Sequence, residues 1–307
     1  MKPMRRDLAT WLAVLSLLAT ACGAVSRPVV PSKQLKVVAT FSVIGDFARN
    51  VGGDLIELAT LAGPGQDTHT FEPNPGSAQS LAEAALVLEN GLSFETWLDD
   101  LYEASGSRAK RVVVTHGIAA RTATEGEEAG ETDPHVWHDV VNAIQMVKNI
   151  RDAFALADPA HAAIYQANAD VYLNQLQELD GWVAAQVERV PENRRKLVTT
   201  HDTFGYFAQR YGFEVLGSIL PTSTEGASPS AQELAALVEM VKAAGVPAVF
   251  AENVSSNSLI NQVAAEAGVK VVGSLYTDAL GPAGSDGDTY LKMVQFNVTR
   301  IVAALGS

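Results

Sequence analysis

The sequence predicts an α/β protein with two βα-repeat lobes, each built on a mostly parallel four-stranded sheet, joined by one long rigid helix. In both halves of the chain, short apolar runs alternate with amphipathic stretches, a pattern typical of parallel strands connected by crossover helices. Between the halves, residues 159–190 form a helical pattern with no internal proline. At 1.5 Å per residue this helix would span roughly 45 Å, which is longer than one lobe needs.

The first half is expected to contain four strands with helices between them. Apolar runs predict strands at 35–40, 55–61, 85–89 and 111–115. Helical periodicity predicts one helix from the end of the first strand to residue 50 and a second from about residue 77. A third is predicted at 94–104, where the residues on one face are Phe94, Trp97, Leu98 and Leu101. A loop around Gly63 and Gly65 follows the second strand.

The central helix has start and stop signals of its own. Asp158 and Pro159 are typical of an N-cap and a first helical turn, and Pro191 ends the pattern. The predicted apolar face comprises Tyr165, Tyr172, Leu176, Leu179, Val183 and Val187. We therefore predict an N-terminal lobe at 35–157, a linking helix at 158–191 and a C-terminal lobe at 192–307.

The second half repeats the alternation without a strong residue-by-residue repeat of the first. Strands are predicted at 196–200, 213–219, 247–252 and 269–276. Helices are predicted at 203–211, 229–244, 258–267 and 289–305. Each half thus offers about four βα units.

The N-terminus has the layout of a secretory signal peptide. Basic residues precede an apolar stretch at 8–21, which is too short to span a bilayer comfortably. The small residues 19–21 before Cys22 resemble the lipobox of bacterial lipoproteins, which implies removal of residues 1–21 and lipidation of Cys22. Residues 22–34 then form a lipidated tether. The alternative is an ordinary secreted protein with an unmodified cysteine.

The charge balance limits the possible ligands. The 307 residues include 22 Lys and Arg against 35 Asp and Glu, which gives a formal net charge of −13. Such a chain lacks the basic surface needed to bind nucleic acid, and a small cation suits it better. Because the chain has a single cysteine, it can form neither an intrachain disulfide nor a zinc site based on paired cysteines.

Four potential metal ligands follow predicted strands. His69 lies after the second strand, and His135 lies in the long connection after the fourth. His201 ends the first strand of the second half, and Asp278 follows the last strand. Open α/β sheets bind ligands at the carboxyl ends of their strands, so the four side chains could converge between the lobes. Three imidazoles and one carboxylate complete a four-coordinate set, although each histidine alone could be an ordinary hydrogen-bonded loop residue.

Five motifs extend over most of the chain beyond residue 35. They are Asp67-x-His69-x-Phe71-Glu72-Pro73, Asn90-Gly91-Leu92-x-x-Glu95-x-Trp97-Leu98, Asp133-Pro134-His135-x-Trp137, Thr200-His201-Asp202-x-Phe204-Gly205-Tyr206-Phe207 and Tyr276-x-Asp278-x-Leu280-Gly281. Together they resemble the zinc/manganese solute-binding proteins of bacterial ABC transporters, a family of periplasmic and lipoprotein receptors.

The resemblance implies a metal site between two lobes, with His69, His135, His201 and Asp278 as ligands. It also implies capture of the ion outside the cytoplasmic membrane and delivery to a membrane permease. We therefore expect a monomeric binding protein that is anchored to the membrane by its lipid or is otherwise periplasmic, that binds no nucleic acid and that is not an enzyme.

Zinc is the favoured ion and manganese the alternative. Three nitrogens and one oxygen suit tetrahedral zinc, whereas manganese prefers more oxygen ligands and a higher coordination number. The resemblance implies that manganese members carry Glu in place of His201. It also implies a histidine-rich loop in many zinc members, but the corresponding stretch, 122–133, is acidic and contains no histidine. This stretch could attract cations electrostatically.

Two other functions are considered. A zinc metallohydrolase needs an open coordination position for water, which Asp278 would fill. The sequence also contains no nucleophile elbow, His-Glu-x-x-His motif or P-loop. Asp202, Glu72 and Glu225 are therefore interpreted as hydrogen-bond partners of the histidines and not as general bases. A surface adhesin is the remaining option, but no residue here specifies a receptor.

Overall fold

The computed structural model describes residues 34–122, 132–220, 229–254 and 256–306. The predicted signal peptide, Cys22, nearly all of the acidic stretch and Glu225 lie outside the described residues. In the part that is described, no helix combines the length and the apolar character needed to cross a membrane.

The N-terminal lobe is built on a parallel four-stranded sheet. Strands β1 (Leu35–Phe41), β2 (Ile56–Ala62), β3 (Leu86–Glu89) and β4 (Lys110–Val113) lie in the order β2-β1-β3-β4. Helices α1 (Ser42–Gly52), α2 (Pro75–Glu83) and α3 (Leu98–Ser105) connect them. The Asn74 side chain caps α2 by accepting hydrogen bonds from two backbone N–H groups of its first turn.

The third predicted helix begins four residues later than expected. Residues 91–93 all adopt positive φ angles of 57–76°, which non-glycine residues such as Leu92 and Ser93 rarely adopt. The buried carboxylate of Glu95 holds this turn by accepting hydrogen bonds from the Asn90 and Gly91 N–H groups, at 2.7 and 3.0 Å. The turn therefore replaces the first helical turn.

A hairpin and a helix that the sequence analysis missed follow the first sheet. Strand β5 (Arg121–Thr122) pairs in antiparallel fashion with β6 (Thr132–Asp133). A 3₁₀ turn, Val136–His138, then leads into α4 (Val140–Ala157). The buried positions of α4 include Ala143, Val147, Ile150 and Phe154, spaced by three and four residues. This spacing could have predicted the helix, which the sequence analysis overlooked.

The central helix is shorter than predicted. A 3₁₀ turn at Pro159–His161 precedes α5 (Ala162–Val187), so the α-helix covers 26 residues, about 39 Å. Asp158 does not cap it, because its carboxylate contacts Nδ1 of His161 at 2.6 Å and accepts the Tyr165 hydroxyl hydrogen bond at 2.9 Å. The predicted apolar face of α5 is buried from Tyr165 to Val187.

The C-terminal lobe has a second parallel sheet. Strands β7 (Lys196–His201), β8 (Glu214–Leu220), β9 (Ala248–Glu252) and β10 (Lys270–Leu275) lie in the order β10-β9-β7-β8. Helices α6 (Gly205–Tyr211), α7 (Ala231–Ala244), α8 (Ser258–Ala267) and α9 (Tyr290–Leu305) cover it. All four strands and helices lie close to their predicted positions.

The two lobes share one apolar core. Helix α5 packs against α1 and α4 of the first lobe and against α9 of the second. A single buried cluster includes Phe47 and Trp137 from the first lobe and Phe204 and Tyr290 from the second. The predicted fold class is confirmed, and the shared core shows that the lobes are packed together and not merely tethered.

Candidate metal centre

Four segments at the lobe interface bring the predicted site residues together. His69 lies in the loop after β2, and His135 lies between β6 and the 3₁₀ turn. His201 is the last residue of β7, and Asp278 follows β10. One ligand atom from each side chain lies within 4.8 Å of the others. All four residues are buried, and none is more than 5% exposed.

The candidate ligand atoms have separations that suit a single small ion. Nε2 of His201 is 3.1 Å from Oδ2 of Asp278, and Nε2 of His135 is 3.5 Å from Oδ1. Nε2 of His69 is 3.6 Å from Oδ2 of Asp278 and 3.2 Å from Nε2 of His135. In a tetrahedral site with bonds of about 2.1 Å, neighbouring ligand atoms are about 3.4 Å apart.

The chemistry of the cluster also fits a cation. Asp278 is fully buried, yet neither of its carboxylate oxygens accepts a well-aligned hydrogen bond from any described residue. Nε2 of His201 is likewise buried without such a partner within the described ranges. Because buried polar atoms are normally satisfied, these orphaned atoms are consistent with an ion between them.

Two of the histidines are oriented by a carboxylate on their far side. Nδ1 of His135 lies 2.9 Å from Oδ1 of Asp133, which also accepts the His135 backbone N–H. Nδ1 of His201 lies 2.5 Å from Oε2 of Glu252, and the other Glu252 oxygen accepts the His201 backbone N–H. Such pairs leave Nε2 free for a metal and increase its basicity.

Burial and nearby charges shift the pKa of one imidazole down and the pKa values of the other two up. Burial, only partly opposed by Asp278, lowers the pKa of His69 to about 3. Burial also disfavours the charged forms of His135 and His201, but the carboxylates around them outweigh it. The pKa of His135 is raised to about 9, and that of His201 is raised well above its usual value. The two cationic imidazoles in turn overcome the effect of burial and hold the pKa of Asp278 well below its usual range.

An aromatic wall encloses the N-terminal side of the cluster. The Phe94 ring packs edge-on against His69 and His135, with centroid distances of 4.7 and 5.8 Å. The left-handed turn at residues 91–93 brings Phe94 to this position. Strained turns of this kind persist where the surrounding structure fixes them, and here Glu95 does so.

Of the three proposed partners of the histidines, Glu225 lies outside the described residues, and the interpretation of Glu72 and Asp202 was wrong. Glu72 is exposed, and Asp202 is partly buried near the cluster but is not paired with an imidazole nitrogen. The residues that do contact the imidazoles are Asp133, which the sequence analysis saw only as part of a motif and an acidic stretch, and Glu252, which it missed. Glu252 ends β9, whose residues are all buried. A carboxylate at the end of a buried apolar strand was the available signal.

The other histidines lie outside the cluster. His116 is exposed, and His161 pairs with Asp158 as described above. His138 is buried and packs against the Phe204 ring at 4.7 Å, and its Nε2 has no hydrogen-bond partner among the described residues.

The chain is similar to known metal-binding proteins in sequence and in fold. The chain is 35% identical over 295 residues to the manganese-binding lipoprotein MntA of Halalkalibacterium halodurans, with 96% of each chain covered. It is 35% identical over 275 residues to the zinc-binding protein TroA of Treponema pallidum, with 88% of each chain covered. The solved structure of the periplasmic TroA superimposes with a TM-score of 0.83 at 33% identity, covering 89% of this chain and 99% of that one.

A third relative is the iron-binding protein YfeA of Yersinia pestis, which is 32% identical, with 97% of this chain and 95% of that one covered. These relatives are binding proteins, and so is this chain, which is not an enzyme. The family model described as ZnuA, zinc-uptake complex component A, periplasmic, matches residues 37–304. The chain therefore belongs to this family of metal-binding proteins of ABC importers.

Proposed function

We propose that the protein captures a divalent transition metal ion outside the cytoplasmic membrane and delivers it to an ABC-transporter permease. The observation that carries the proposal is the buried cluster at the lobe interface, with its orphaned ligand atoms within 4.8 Å of one another. Membership of the zinc-uptake family supports the transport role.

His69, His135, His201 and Asp278 are the proposed ligands. The positive charge of the ion balances the negative charge of the carboxylates Asp278 and Glu252 in the buried cluster. Since protonated imidazoles cannot bind a metal, capture displaces protons from His135 and His201. His69, whose pKa lies near 3, offers a neutral nitrogen at any physiological pH.

Zinc is the proposed cargo, with manganese as the alternative. Three imidazole nitrogens and one carboxylate are a four-coordinate donor set that zinc favours, and four of the ligand-atom separations, 3.1–3.6 Å, suit bonds to zinc. Relatives named for manganese, zinc and iron have similar degrees of identity to this chain, so their names alone do not select the ion.

The shared core supports small lobe movements over wide closure. Helix α5 packs against elements of both lobes, and buried aromatic side chains from both form one cluster. Wide opening would expose this apolar surface to water, at about 25 cal/mol for each Å². We propose that the protein is a monomer with an N-terminal lobe at 35–157, a linking helix at 158–191 and a C-terminal lobe at 192–307. Metal binding is proposed to alter loops near the metal centre.

Metal analysis tests the ligand set. The protein purified without added metal is expected to contain close to one equivalent of bound ion, or to bind one equivalent of added zinc. His135→Ala should abolish high-affinity binding, whereas His116→Ala, which removes an exposed histidine outside the cluster, should not. Retention of full affinity by His135→Ala would overturn the proposal. Competition between zinc and manganese then identifies the preferred ion.

Membrane attachment is proposed to occur through a lipid on Cys22. Cys22→Ala should release the protein from membranes and leave its zinc affinity unchanged, because the tether is separate from the ligand segments in the sequence. Membrane fractionation of cells expressing each form checks this, and a Cys22→Ala protein that stays firmly membrane-bound would contradict the proposed anchor.

A further inference from the structure

Two tryptophan side chains hold the backbone beside two of the proposed ligands. The indole N–H of Trp97 donates a 2.8 Å hydrogen bond to the carbonyl of the residue before His69. The indole N–H of Trp137 donates a 3.0 Å hydrogen bond to the carbonyl of Thr277, which precedes Asp278. Both are indole-to-carbonyl hydrogen bonds, but the first lies within the N-terminal lobe and the second joins the two lobes.

The Trp137 side chain is fixed on its own lobe. The residue is fully buried, and its ring packs against Phe41 at 4.9 Å, Phe94 at 5.0 Å and His135 at 5.4 Å between centroids. These contacts leave the indole N–H as its only polar side-chain group, and it points across the interface. Its direction is therefore determined by packing within the N-terminal lobe.

The backbone of Trp137 makes a second bond to the C-terminal lobe. Its carbonyl accepts the hydroxyl hydrogen bond of Tyr290 at 2.6 Å. The backbone N–H of Tyr290 donates in turn to Oδ2 of Asp46, at 3.1 Å, in α1 of the N-terminal lobe. The Tyr172 hydroxyl, on α5, bonds to the same oxygen at 3.2 Å. Trp137 thus lies at one end of a buried chain of hydrogen bonds that joins both lobes and α5.

From this arrangement we infer that Trp137 is a positioning residue that holds Asp278 opposite His135 in the metal-free and the metal-loaded protein alike. The inference rests on the proposed ligand set. Trp137 follows His135 by two residues, and its hydrogen-bond acceptor immediately precedes Asp278, so one side chain fixes the spacing of two ligands from different lobes. It does not bind the ion, and it controls how readily Asp278 can move away.

Loss of this bond is expected to speed metal release. Without the indole donor, the buried Thr277 carbonyl has no replacement among the described residues, and the Asp278 segment gains freedom to shift. Residues that support metal ligands typically change affinity by 10- to 100-fold when mutated. We expect Trp137→Phe, which keeps an aromatic ring in the core, to raise the zinc dissociation rate constant about tenfold, with a smaller change in association.

Matched variants distinguish loss of the Trp137–Thr277 hydrogen bond from general loosening of the fold. Trp97→Phe removes the equivalent bond within one lobe and should change zinc release less than threefold. Phe154→Leu disturbs the N-terminal core away from the ligands and should lower the melting temperature without changing release. Tyr290→Phe, which lacks only the hydroxyl that bonds the Trp137 carbonyl, should speed release in the same direction as Trp137→Phe. Stopped-flow release of zinc into excess chelator, with melting curves for each variant, measures these effects.

A second measurement needs no variant of the core. In ¹⁵N spectra of the full chain, the Trp137 indole proton, assigned by its through-space contacts with the Phe41 and Phe94 rings, should be protected from exchange with water both before and after zinc is added. Protection that develops only with zinc would show that the ion, and not the side chain, brings the lobes into register. This result would overturn the inference even if Trp137→Phe proved unstable.

The outcomes also separate this inference from the ligand proposal. If His135→Ala binds zinc as well as the wild-type protein does, the proposed function fails. If His135→Ala loses zinc but Trp137→Phe releases it at the wild-type rate, the ligand set stands and the inferred positioning role of Trp137 is wrong.

Discussion

The two lobes support their histidines in different ways. In the N-terminal lobe, His135 contacts Asp133, and Asp133 also forms an ion pair with the partly exposed Arg121, at 2.8 Å. In the C-terminal lobe, His201 contacts Glu252, whose Oε2 accepts the Thr277 hydroxyl hydrogen bond at 3.0 Å. No lysine or arginine pairs with Glu252 in the part of the chain that the structure describes.

This difference places the attraction for a cation mainly in the C-terminal lobe. The partly exposed guanidinium of Arg121 balances the charge of the buried Asp133. Glu252 and Asp278 are both fully buried, and the His201 imidazole contacts Glu252 through Nδ1 and Asp278 through Nε2. A buried carboxylate is costly unless a cation accompanies it, so this half gains most from a bound ion. The N-terminal lobe mainly positions its two histidines, His69 and His135, around the ion.

His201→Glu is expected to give the largest effect. Because Nδ1 of His201 lies 2.5 Å from Glu252, a carboxylate at position 201 would face a buried carboxylate, and zinc would lose a favoured imidazole. We expect zinc affinity to fall on the order of 1,000-fold, in line with about 4 kcal/mol for disrupting a buried charge pair. Manganese affinity should fall less, because the new oxygen suits that ion.

Competition titrations of both ions against the wild type and this variant check the prediction. The zinc-to-manganese ratio should narrow without reversing, since zinc binds more tightly than manganese to most ligand sets. Adding Glu252→Gln to His201→Glu removes the facing charge and should recover about tenfold for both ions. An unchanged ratio would show that the shape of the centre, and not the donor at position 201, sets selectivity.

Acidification distinguishes His69 from the two carboxylate-supported histidines. At pH 7 His135, with a pKa of about 9, and His201, with a pKa well above its usual value, both carry protons in the metal-free protein. Zinc must displace both, so apparent affinity should fall by up to about 100-fold when the pH drops from 7 to 6. His69 contributes nothing to this change, because its pKa lies near 3.

Calorimetry in buffers of different ionisation enthalpy counts the protons. Close to two should be released for each zinc ion at pH 7, and Asp133→Asn, which removes a carboxylate that raises the pKa of His135, should release fewer. Release of less than one proton by the wild type would contradict the assigned charges.

Isosteric changes to the two supporting carboxylates test the comparison directly. Glu252→Gln should weaken zinc binding near the upper end of the 10- to 100-fold range known for such residues, and Asp133→Asn near the lower end. The reason is that no lysine or arginine pairs with Glu252 among the described residues, so that the ion must balance its charge once zinc displaces the proton of His201, whereas Arg121 already balances Asp133. Zinc titration with a competing chelator measures both. Equal losses would mean that orientation of the imidazole matters more than buried charge.

The sequence predicted the sheets and the four clustered side chains because each depends on local patterns. Apolar runs specify strands, and in parallel sheets the strand ends share one edge, so His201 and Asp278 could be placed together without coordinates. The supporting carboxylates were harder to predict. Glu252 is 51 residues from the histidine it contacts. The two residues meet because β7 and β9 are neighbours in the sheet, and no local sequence pattern specifies that pairing.

The turn at residues 91–93 shows a second limit. Phe94, Trp97, Leu98 and Leu101 have helical spacing, and their local pattern predicted a helix from residue 94. Tertiary contacts prevail, because the buried Glu95 carboxylate bonds the backbone of the turn and directs Phe94 toward the histidines. Helical propensity is worth only tenths of a kcal/mol per residue, less than the roughly 1 kcal/mol that a typical hydrogen bond contributes.

The smallest expected effect concerns the Arg121 side chain. Its guanidinium occupies a space beside Gly205, where an added Cβ would lie 1.5 Å from Nη1. The Tyr206 hydroxyl accepts the Arg121 backbone N–H at 2.9 Å and donates to the Asp133 carbonyl at 2.8 Å, so the hairpin is held against α6 by more than this one ion pair. Removing the guanidinium should therefore loosen Asp133 only slightly.

We expect Arg121→Ala to weaken zinc binding by less than about tenfold, below the range for residues that contact a ligand directly. Gly205→Ala should have a similar effect because it displaces the guanidinium, and Arg121→Lys should restore part of the loss by keeping a positive charge near Asp133. Arg151→Ala is the matched control, since Arg151 is also partly exposed but pairs with its exposed neighbour Asp152 on α4. Chelator competition ranks the four variants. A loss for Arg121→Ala as large as that for Glu252→Gln would show that the two lobes attract the ion equally, because the balanced pair would then contribute as much as the unbalanced one.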